Sequence, residues 1–185
     1  VGSEMCIRDR SETAKLIEAT LRLIRQQVPT VTWLSRLRLM MSLLTDVLPF
    51  NWKKKRLNQI LHFAIQQRKL DGEAQDRKFP AIRLFMIGAQ LYARDRKTLA
   101  LLYHDAAIRQ AVHRQTSMAS ALKVVAERAA ILGYLGSTKT AYRFLDIAMD
   151  AARHTNETSV YGYIALLRAL TIDYIKGRHE EVSAN

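Results

Sequence analysis

The fold is decided by two consecutive stretches of equal length, LFMIGAQLYARDRKTLALLYHDAAIRQAVHRQTSMASALKV (residues 84–124) and VAERAAILGYLGSTKTAYRFLDIAMDAARHTNETSVYGYIA (residues 125–165). A fixed period of roughly 20 to 50 residues is typical of helical solenoids, whose units bury their apolar faces only against neighbouring units. We therefore predict an all-α fold of antiparallel helix pairs with a 41-residue period. When the two stretches are aligned, the small residues coincide: Ala100 with Ala141, Ala107 with Ala148 and Ala111 with Ala152.

The turns between helices repeat with the same period. Arg94-Asp95-Arg96 falls on Leu135-Gly136-Ser137, and one period later on Lys176-Gly177-Arg178. Asp105 falls on Asp146, and His113 on His154. Short turns between helices of this length favour antiparallel neighbours. The pattern predicts paired helices at 80–94 with 97–114 and at 117–135 with 138–154, followed by a helix at 158–176.

Three more helices are predicted before the repeats. The first, 12–27, has Ser11 as its N-cap and ends before Pro29. One stripe along it holds Leu16, Ala19, Leu23 and Gln27, and Ile17, Leu21 and Ile24 lie beside that stripe. The second, 32–48, carries Trp33, Leu37, Met40, Met41 and Leu44, and Pro49 stops it. Trp33 is expected to be a packing anchor.

The third helix, 53–69, opens with Lys53, Lys54, Lys55 and Arg56. Four cations in a first turn oppose the helix dipole, so helix stability does not explain them. Residues 71–79 are polar and contain Gly72, which indicates a linker. The predicted organisation is therefore amino-terminal helices at 11–70, a linker at 71–79 and repeats at 80–185.

Both ends of the chain carry unusual signals. Residues 1–10, VGSEMCIRDR, resemble a translated sequencing-adapter read-through, so they are left out of the fold prediction. At the other end, Gly177 repeats the turn position and Glu180-Glu181-Val182 opens another helix. We expect the chain to be an internal fragment of a longer protein whose repeats are truncated at the C-terminus.

Small and interlocking residues recur at the positions where two helices of a pair would approach each other. In the first pair Gly88 and Leu91 lie on one helix, and alanines seven residues apart line the other. The third copy is weaker, because Leu170 and Val182 replace small residues. The predicted repeat-packing residues are Gly88, Leu91, Ala100, Ala107, Ala129, Leu132, Gly136, Ala141, Leu145, Ala148 and Gly177.

The run from Gly136 to Arg153, GSTKTAYRFLDIAMDAAR, resembles the tetratricopeptide-like helical repeats of large bacterial signal-transduction ATPases of the STAND type. The segment Tyr163–Val182 is similar in character, and the likeness covers about residues 81–182. In that family, catalysis belongs to linked cyclase, kinase or activator domains. The resemblance therefore implies a cytoplasmic, non-catalytic region that receives a partner and relays a signal. The chain contains no GxxxxGK[ST] phosphate loop.

The composition indicates the kind of partner rather than the fold. The chain has 29 Lys and Arg against 17 acids, a formal charge of +12, which favours acidic partners. Its single cysteine, Cys6, excludes an intrachain disulfide. No apolar run is long enough to span a membrane. The five histidines lack the spacing of a metal site, so neither a metal nor another cofactor is predicted.

Charged side chains at turns and helix ends are the main surface signal. We expect binding to a protein partner or to adjacent domains of the same polypeptide, with a nucleic-acid-binding basic repeat as the alternative. That alternative is weaker because exposed aromatic residues for base stacking are not interleaved with the cations. Ser117, Ser137 and Ser159 are expected to cap helices. The candidate interaction surface comprises Arg94, Arg96, Lys53, Lys54, Lys55, Arg56, Glu127 and Tyr134.

Overall fold

The computed structural model describes residues 2–47, 60, 80–93, 95–113, 117–154, 158–169 and 177. Within these residues the regular structure is entirely helical, which confirms the predicted all-α class. The stacking of helix pairs into a solenoid remains a prediction. The described helices are α1 (Gly2–Leu23), α2 (Trp33–Val47), α3 (Ala81–Tyr92), α4 (Lys97–His113), α5 (Met118–Tyr134), α6 (Thr138–His154) and α7 (Thr158–Leu167).

The bounds predicted for the repeat helices agree closely with α3 to α6. The helix predicted at 158–176 starts where α7 starts, and the helix predicted at 53–69 and the linker at 71–79 lie outside the described residues apart from Ile60. The prediction for the first helix was wrong at both ends. Helix α1 contains Ser11 instead of starting after it, and it ends at Leu23.

Helix α1 ends early because its backbone turns into the left-handed region at Arg25, where φ is 57°. The amide of Gln26 donates to the carbonyl of Leu21 at 2.8 Å, and the amide of Arg25 to that of Arg22 at 2.9 Å. These two bonds form a Schellman motif. The end of α5 has the same motif, with Gly136 at φ 87° in the position that Arg25 holds. Gly136 was predicted to lie at a turn, and its left-handed backbone conformation explains why a glycine is found there.

The described residues of Val1–Ser42 and Phe79–Gln110 form one compact unit, here called unit 1. Those of Leu43–Lys78 and Ala111–Asn185 form a second, unit 2. The grouping differs from the boundaries predicted from sequence, because α1 and the first ten residues of α2 belong with α3 and most of α4. The reason is that α1 packs on α3 and that Ser42 binds Asp105 of α4.

Unit 1 is centred on the ring of Tyr103, which is fully buried. Gly88 of α3 lies directly against it, since a Cβ built on Gly88 would come within 2.4 Å of the ring. Phe85 meets the ring edge-on at 6.1 Å between centroids, and Tyr92 lies 5.4 Å away. Burial raises the pKa of Tyr103 well above its ordinary value. A glycine is therefore required here for close approach.

Helices α1 and α3 are joined by polar as well as apolar contacts. Among the described side chains of α1, Ile17 and Leu21 are buried, whereas Leu16 and Leu23 are exposed. The stripe predicted to run through Leu16 and Leu23 is thus the outer one, and the stripe beside it faces the core. The Tyr92 hydroxyl donates to Oε1 of Glu18 at 3.1 Å. Burial raises the pKa of Tyr92, and the hydrogen bond to Glu18 raises it further.

Unit 2 contains three mutually packed helices, α5, α6 and α7. Ser117 caps α5 by accepting a bond from the Ser120 amide at 3.1 Å, as the sequence predicted. Helix α6 is amphipathic, and its inner face carries Phe144, Leu145 and a row of alanines. On its outer face Asp146 pairs with Arg168 at 2.6 Å.

Most of the residues predicted to pack the repeats are buried, in both copies. The buried members of that set are Gly88, Ala100, Ala107, Ala129, Leu132, Ala141, Leu145 and Ala148. Leu91 and Gly177 are half-buried, and Gly136 is an exposed turn residue.

Candidate interaction surface

Helix α2 has its polar side turned inward and its apolar side turned outward. In unit 1 its buried residues are Leu39 and Ser42. The outward side presents a row of large apolar side chains that are between 44% and 71% exposed. We call this row the apolar stripe, and it consists of Trp33, Leu34, Leu37, Met40 and Met41. Amphipathic helices ordinarily face the other way.

The apolar stripe is continuous along the helix. At about 100° per residue, its five members fall within an arc of about 120°, and Leu44 of unit 2 has the same angular position on the helix. From Trp33 to Met41 the stripe covers about 12 Å at a rise of 1.5 Å per residue. A contiguous exposed apolar surface of this kind marks an interaction site more often than scattered single residues do.

The start of α2 is held by a reciprocal cap. The amide of Thr32 donates to Oγ of Ser35 at 2.8 Å, and the amide of Ser35 donates to Oγ1 of Thr32 at 3.1 Å. This is the geometry of a capping box, with Ser35 in the place usually taken by Glu or Gln. The cap places Trp33 in the first turn of α2. Trp33 is therefore not the packing anchor that the sequence suggested, because it is 71% exposed.

A buried polar cluster fixes the rotation of α2 about its axis within unit 1. The hydroxyl of Ser42 donates to Oδ1 of Asp105 at 2.5 Å. Arg109, one turn further along α4, donates to Oδ2 of the same carboxylate. A buried carboxylate is stable only when hydrogen bonds and charge replace its water. Since Ser42 supplies one of those bonds, rotating α2 to bury the apolar stripe would break it.

A second polar contact from the same helix lies within unit 2. Asp46 accepts from Nε of Arg128 at 2.7 Å, and its Oδ2 lies 2.6 Å from Nη2 of that guanidinium. Both side chains are almost fully buried, at 3% and 0% exposure. The inward face of α2 thus carries two polar groups, Ser42 and Asp46, each committed to a buried partner.

Two arginines border the apolar stripe, one on each side. On an ideal helix Arg36 lies about 40° from Met40 at one edge, and Arg38 about 40° from Leu34 at the other. Both are exposed. Within the described part of the chain, neither forms an ion pair with a carboxylate. The stripe is therefore an apolar surface with positive edges.

Open clefts of unit 1 lie beside each edge. One, of about 480 Å³, is lined by Arg36 together with Arg96, Lys97, Asp95 and other residues at the turn between α3 and α4. The other, of about 270 Å³, is lined by Arg38, by Asp105 and Arg109, and by the segment between α1 and α2. The first cleft extends the positive edge of the stripe as far as the N-terminus of α4, where backbone amides add positive potential.

The sequence-predicted surface residues are distributed differently. Lys53, Lys54, Lys55, Arg56 and Arg94 lie outside the described residues. Arg96 is exposed and lines the first cleft.

The two described members of the predicted surface in unit 2, Glu127 and Tyr134, have different surroundings. Glu127 of α5 is half-buried and accepts a bond from the Tyr163 hydroxyl at 2.6 Å. Lys123 of the same helix lies 5.9 Å from the centre of the Tyr163 ring. Tyr134 is exposed at the end of α5.

Sequence reasoning missed the apolar stripe as a surface. The helix periodicity assigned its residues to one side of α2 but did not show that this side faces outward. The available signal was the spacing of Ser35, Ser42 and Asp46, which places polar residues together on the opposite side.

Other chemical features are few in the part of the chain that the structure describes. No cluster of three or more His, Cys, Asp or Glu side chains is positioned there to hold a metal ion. None of the described helices combines the length and hydropathy required to cross a membrane. The chain matches no protein-family model, and neither the curated proteins nor the solved structures include a significant match to it.

Proposed function

We propose that this chain is a non-catalytic helical-repeat scaffold that binds a protein partner, or an adjacent domain of its own polypeptide, through the apolar stripe. The observation that carries the proposal is the inverted orientation of α2. Its apolar side chains are exposed, while Ser42 holds its polar side to Asp105. Full burial of one exposed Leu or Met side chain contributes about 1.5–3 kcal/mol. A partner that covers the stripe therefore gains binding free energy from several such side chains.

The polar cluster supports a binding role over a packing role for the stripe. An apolar side chain in this place contributes little to folding, because it stays in water. The Ser42–Asp105–Arg109 cluster gives the surface a fixed shape before any partner arrives. Preorganisation of this kind reduces the entropy that binding must overcome.

A relay role within a larger, cytoplasmic regulator follows from the resemblance of residues 81–182 to signalling-ATPase repeats. In that role, a partner on the stripe would favour one conformation of the parent protein over another. The size of the effect would be limited by the difference in the partner's affinity for the two conformations. The proposal needs no cofactor.

Nucleic-acid binding is the second candidate, and the cations of the first cleft favour it. Arg36, Arg96 and Lys97 line one surface, and none of them forms an ion pair with a described carboxylate. Phosphate contacts of this kind give binding that weakens steeply as salt is raised. A fluorescent 20-base-pair DNA duplex titrated with the chain at 50 mM and 200 mM salt distinguishes the candidates. Salt-sensitive binding that survives loss of the stripe would favour nucleic acid.

The protein-binding proposal is tested by selecting helical peptides against the full 185-residue chain. A displayed library would fix apolar residues at every third and fourth position and randomise the rest. The test variant is Leu37→Gln/Met41→Gln. Leu135→Gln/Leu166→Gln is the control, because it removes two apolar side chains from unit 2 that are at least as exposed.

We expect enriched peptides to bind the parent chain and the control variant but to lose at least tenfold in affinity for the stripe variant. Peptides that bind all three proteins equally would contradict the proposal. So would a selection that enriches nothing above background.

A further inference from the structure

The charges at the edges of the apolar stripe indicate the chemistry of a partner that would cover it. Arg36 and Arg38 lie on opposite sides of the stripe, each about 40° beyond its last apolar residue on a helical projection. In paired helices the positions that flank an apolar seam carry charges that select the partner. Here both flanking positions are positive, so the seam selects against a partner with positive edges.

The flanking charges are available for a partner. The described residues offer no carboxylate within ion-pair distance of Arg36, Arg38, Arg96 or Lys97. Asp95, which lines the first cleft, pairs with Arg10 at 3.4 Å. Asp46, the acidic residue of α2, is committed to Arg128. Among the residues that the structure describes, the four cations beside the stripe are therefore not neutralised by an ion pair with a carboxylate.

We propose that the occupant of the apolar stripe is an acidic amphipathic helix from a protein partner. Its apolar residues, spaced three and four apart, would pack on Leu37, Met40 and Met41. Carboxylates on its two edges would bind Arg36 on one side and Arg38 on the other. The Arg36 edge would continue to Arg96 and Lys97, where further carboxylates could bind. This inference rests on the proposed function and adds the chemistry of the partner.

Features of the stripe itself suit a helix as the occupant. Its arc of about 120° matches the contact strip between two packed helices. Exposed methionines adapt to apolar partners of different shape. Trp33 at one end gives a large anchor, and aromatic anchors are enriched among the residues that dominate binding.

Two other occupants are disfavoured, one by charge and the other by burial. A second copy of this chain paired through the same surface would place Arg36 and Arg38 beside the same two arginines, which is repulsive. An amphipathic helix that lies in a membrane surface exposes a strongly charged face opposite its apolar face. In α2 the opposite face is instead buried through Leu39 and Ser42.

The test uses three synthetic 21-residue helical peptides with an identical apolar face. Their edge positions carry Glu in the first peptide, Gln in the second and Lys in the third. Binding is followed by the emission of Trp33 in a Trp52→Phe background, because Trp33 is 71% exposed and its emission should shift to shorter wavelength when covered.

The charge-reversal variant is Arg36→Glu/Arg38→Glu. Its control is Arg83→Glu/Arg143→Glu, which makes the same change of net charge at exposed arginines of α3 and α6. We expect the Glu peptide to bind the parent chain at least tenfold more tightly than the Gln peptide, and the Lys peptide to bind weakest. Charge reversal should invert that order, and the control should preserve it. Raising the salt from 50 to 300 mM should narrow the differences.

Each alternative result overturns a different statement. Equal binding of the Glu and Gln peptides, unaffected by charge reversal, would overturn the acidic-helix inference and leave the proposed function intact. Binding of no peptide would overturn both. If the chain bound phosphatidylcholine–phosphatidylserine vesicles (3:1) through the stripe and bound no peptide, both proposals would be overturned and a membrane surface would be the occupant. Stripe-dependent dimerisation in analytical ultracentrifugation would identify a second copy as the occupant.

Discussion

Asp105 in α4 and Asp146 in α6 occupy the same position in the two copies of the 41-residue repeat, but their surroundings are opposite. The side chain of Asp105 is 2% exposed and binds Ser42 and Arg109. That of Asp146 is 54% exposed and pairs with Arg168 on the surface. In the first copy, Ser42 of α2 lies against the aspartate that the second copy leaves exposed.

The difference shows how an exposed apolar surface can be added to a repeat without changing its core. The small residues at equivalent positions, such as Ala107 and Ala148, are fully buried in both copies. What differs is the outer face, where Leu102 of the first copy is buried and Arg143, its equivalent, is exposed. Ser42 of α2 binds Asp105 on that face, and the other side of α2 presents an exposed apolar surface.

The largest effect on stability is expected at Arg128, a buried cation of the second copy with no charged equivalent in the first. Arg128 is fully buried against Asp46, whereas its equivalent in the first copy is Ile87, which is 40% exposed. Asp46→Ala should lower the free energy of unfolding by about 3–5 kcal/mol, because it leaves a buried cation without its carboxylate. Urea unfolding followed by circular dichroism measures this. Asp46→Leu/Arg128→Leu should restore most of the loss, and an unrescued double variant would contradict the assignment.

The next effect compares the two aspartates directly. Asp105→Ala should cost about 2–4 kcal/mol, because Ser42 and Arg109 lose a buried acceptor. Asp146→Ala should cost less than about 1 kcal/mol, since exposed ion pairs contribute little. The same unfolding experiment measures both variants side by side. Equal losses would show that the two copies do not differ as described.

A smaller effect is expected at Gly88 and at its equivalent, Ala129. Gly88→Ala should destabilise by about 1–3 kcal/mol, because the new methyl group would overlap the Tyr103 ring despite the better helix propensity of alanine. Gly88→Ala/Tyr103→Leu, which removes the ring, should recover part of that loss. Ala129→Gly should cost about 1–2 kcal/mol, through lower helix propensity and the loss of a buried methyl group. Thermal unfolding resolves these differences, and a stabilising Gly88→Ala would refute the close approach.

The smallest effect concerns the turns. Gly136 ends the first helix of the second copy with φ 87°, whereas Asp95 at the equivalent position of the first copy has no positive φ. Gly136→Ala should cost about 1 kcal/mol, and Arg25→Gly should gain about the same, because left-handed backbone is costly for side chains with a Cβ. A loss of stability in Arg25→Gly would contradict the Schellman geometry described for α1.

Periodicity was sufficient to predict the helices at 80–154 and most of the small residues that they bury. The offset of 41 residues identified Ala100 with Ala141 and Gly88 with Ala129, and all four are buried. These predictions succeeded because helix length, turn position and small-residue spacing are local properties of the sequence. The end of α1 was not predicted, since nothing in the residue type of Arg25 indicates a left-handed backbone.

The candidate surface could not be predicted for a different reason. Which side of α2 faces inward depends on Asp105 and Arg128, which are 63 and 82 residues away from their partners Ser42 and Asp46. A single sequence shows that Leu37 and Met41 share a side, but not which distant group the opposite side must satisfy. The pairing of buried polar groups therefore decided the orientation, and the apolar pattern alone suggested the opposite one.

The central claim, that α2 turns its apolar side to solvent, is tested most directly by the stability of Leu37→Gln/Met40→Gln/Met41→Gln. We predict that its free energy of unfolding in urea lies within about 1 kcal/mol of the parent chain, because exposed positions tolerate polar residues. Leu39→Gln, on the inward side of the same helix, should lose about 2–4 kcal/mol. A loss of more than about 3 kcal/mol in the triple variant, with little change in Leu39→Gln, would show that the stripe is core and would contradict the account.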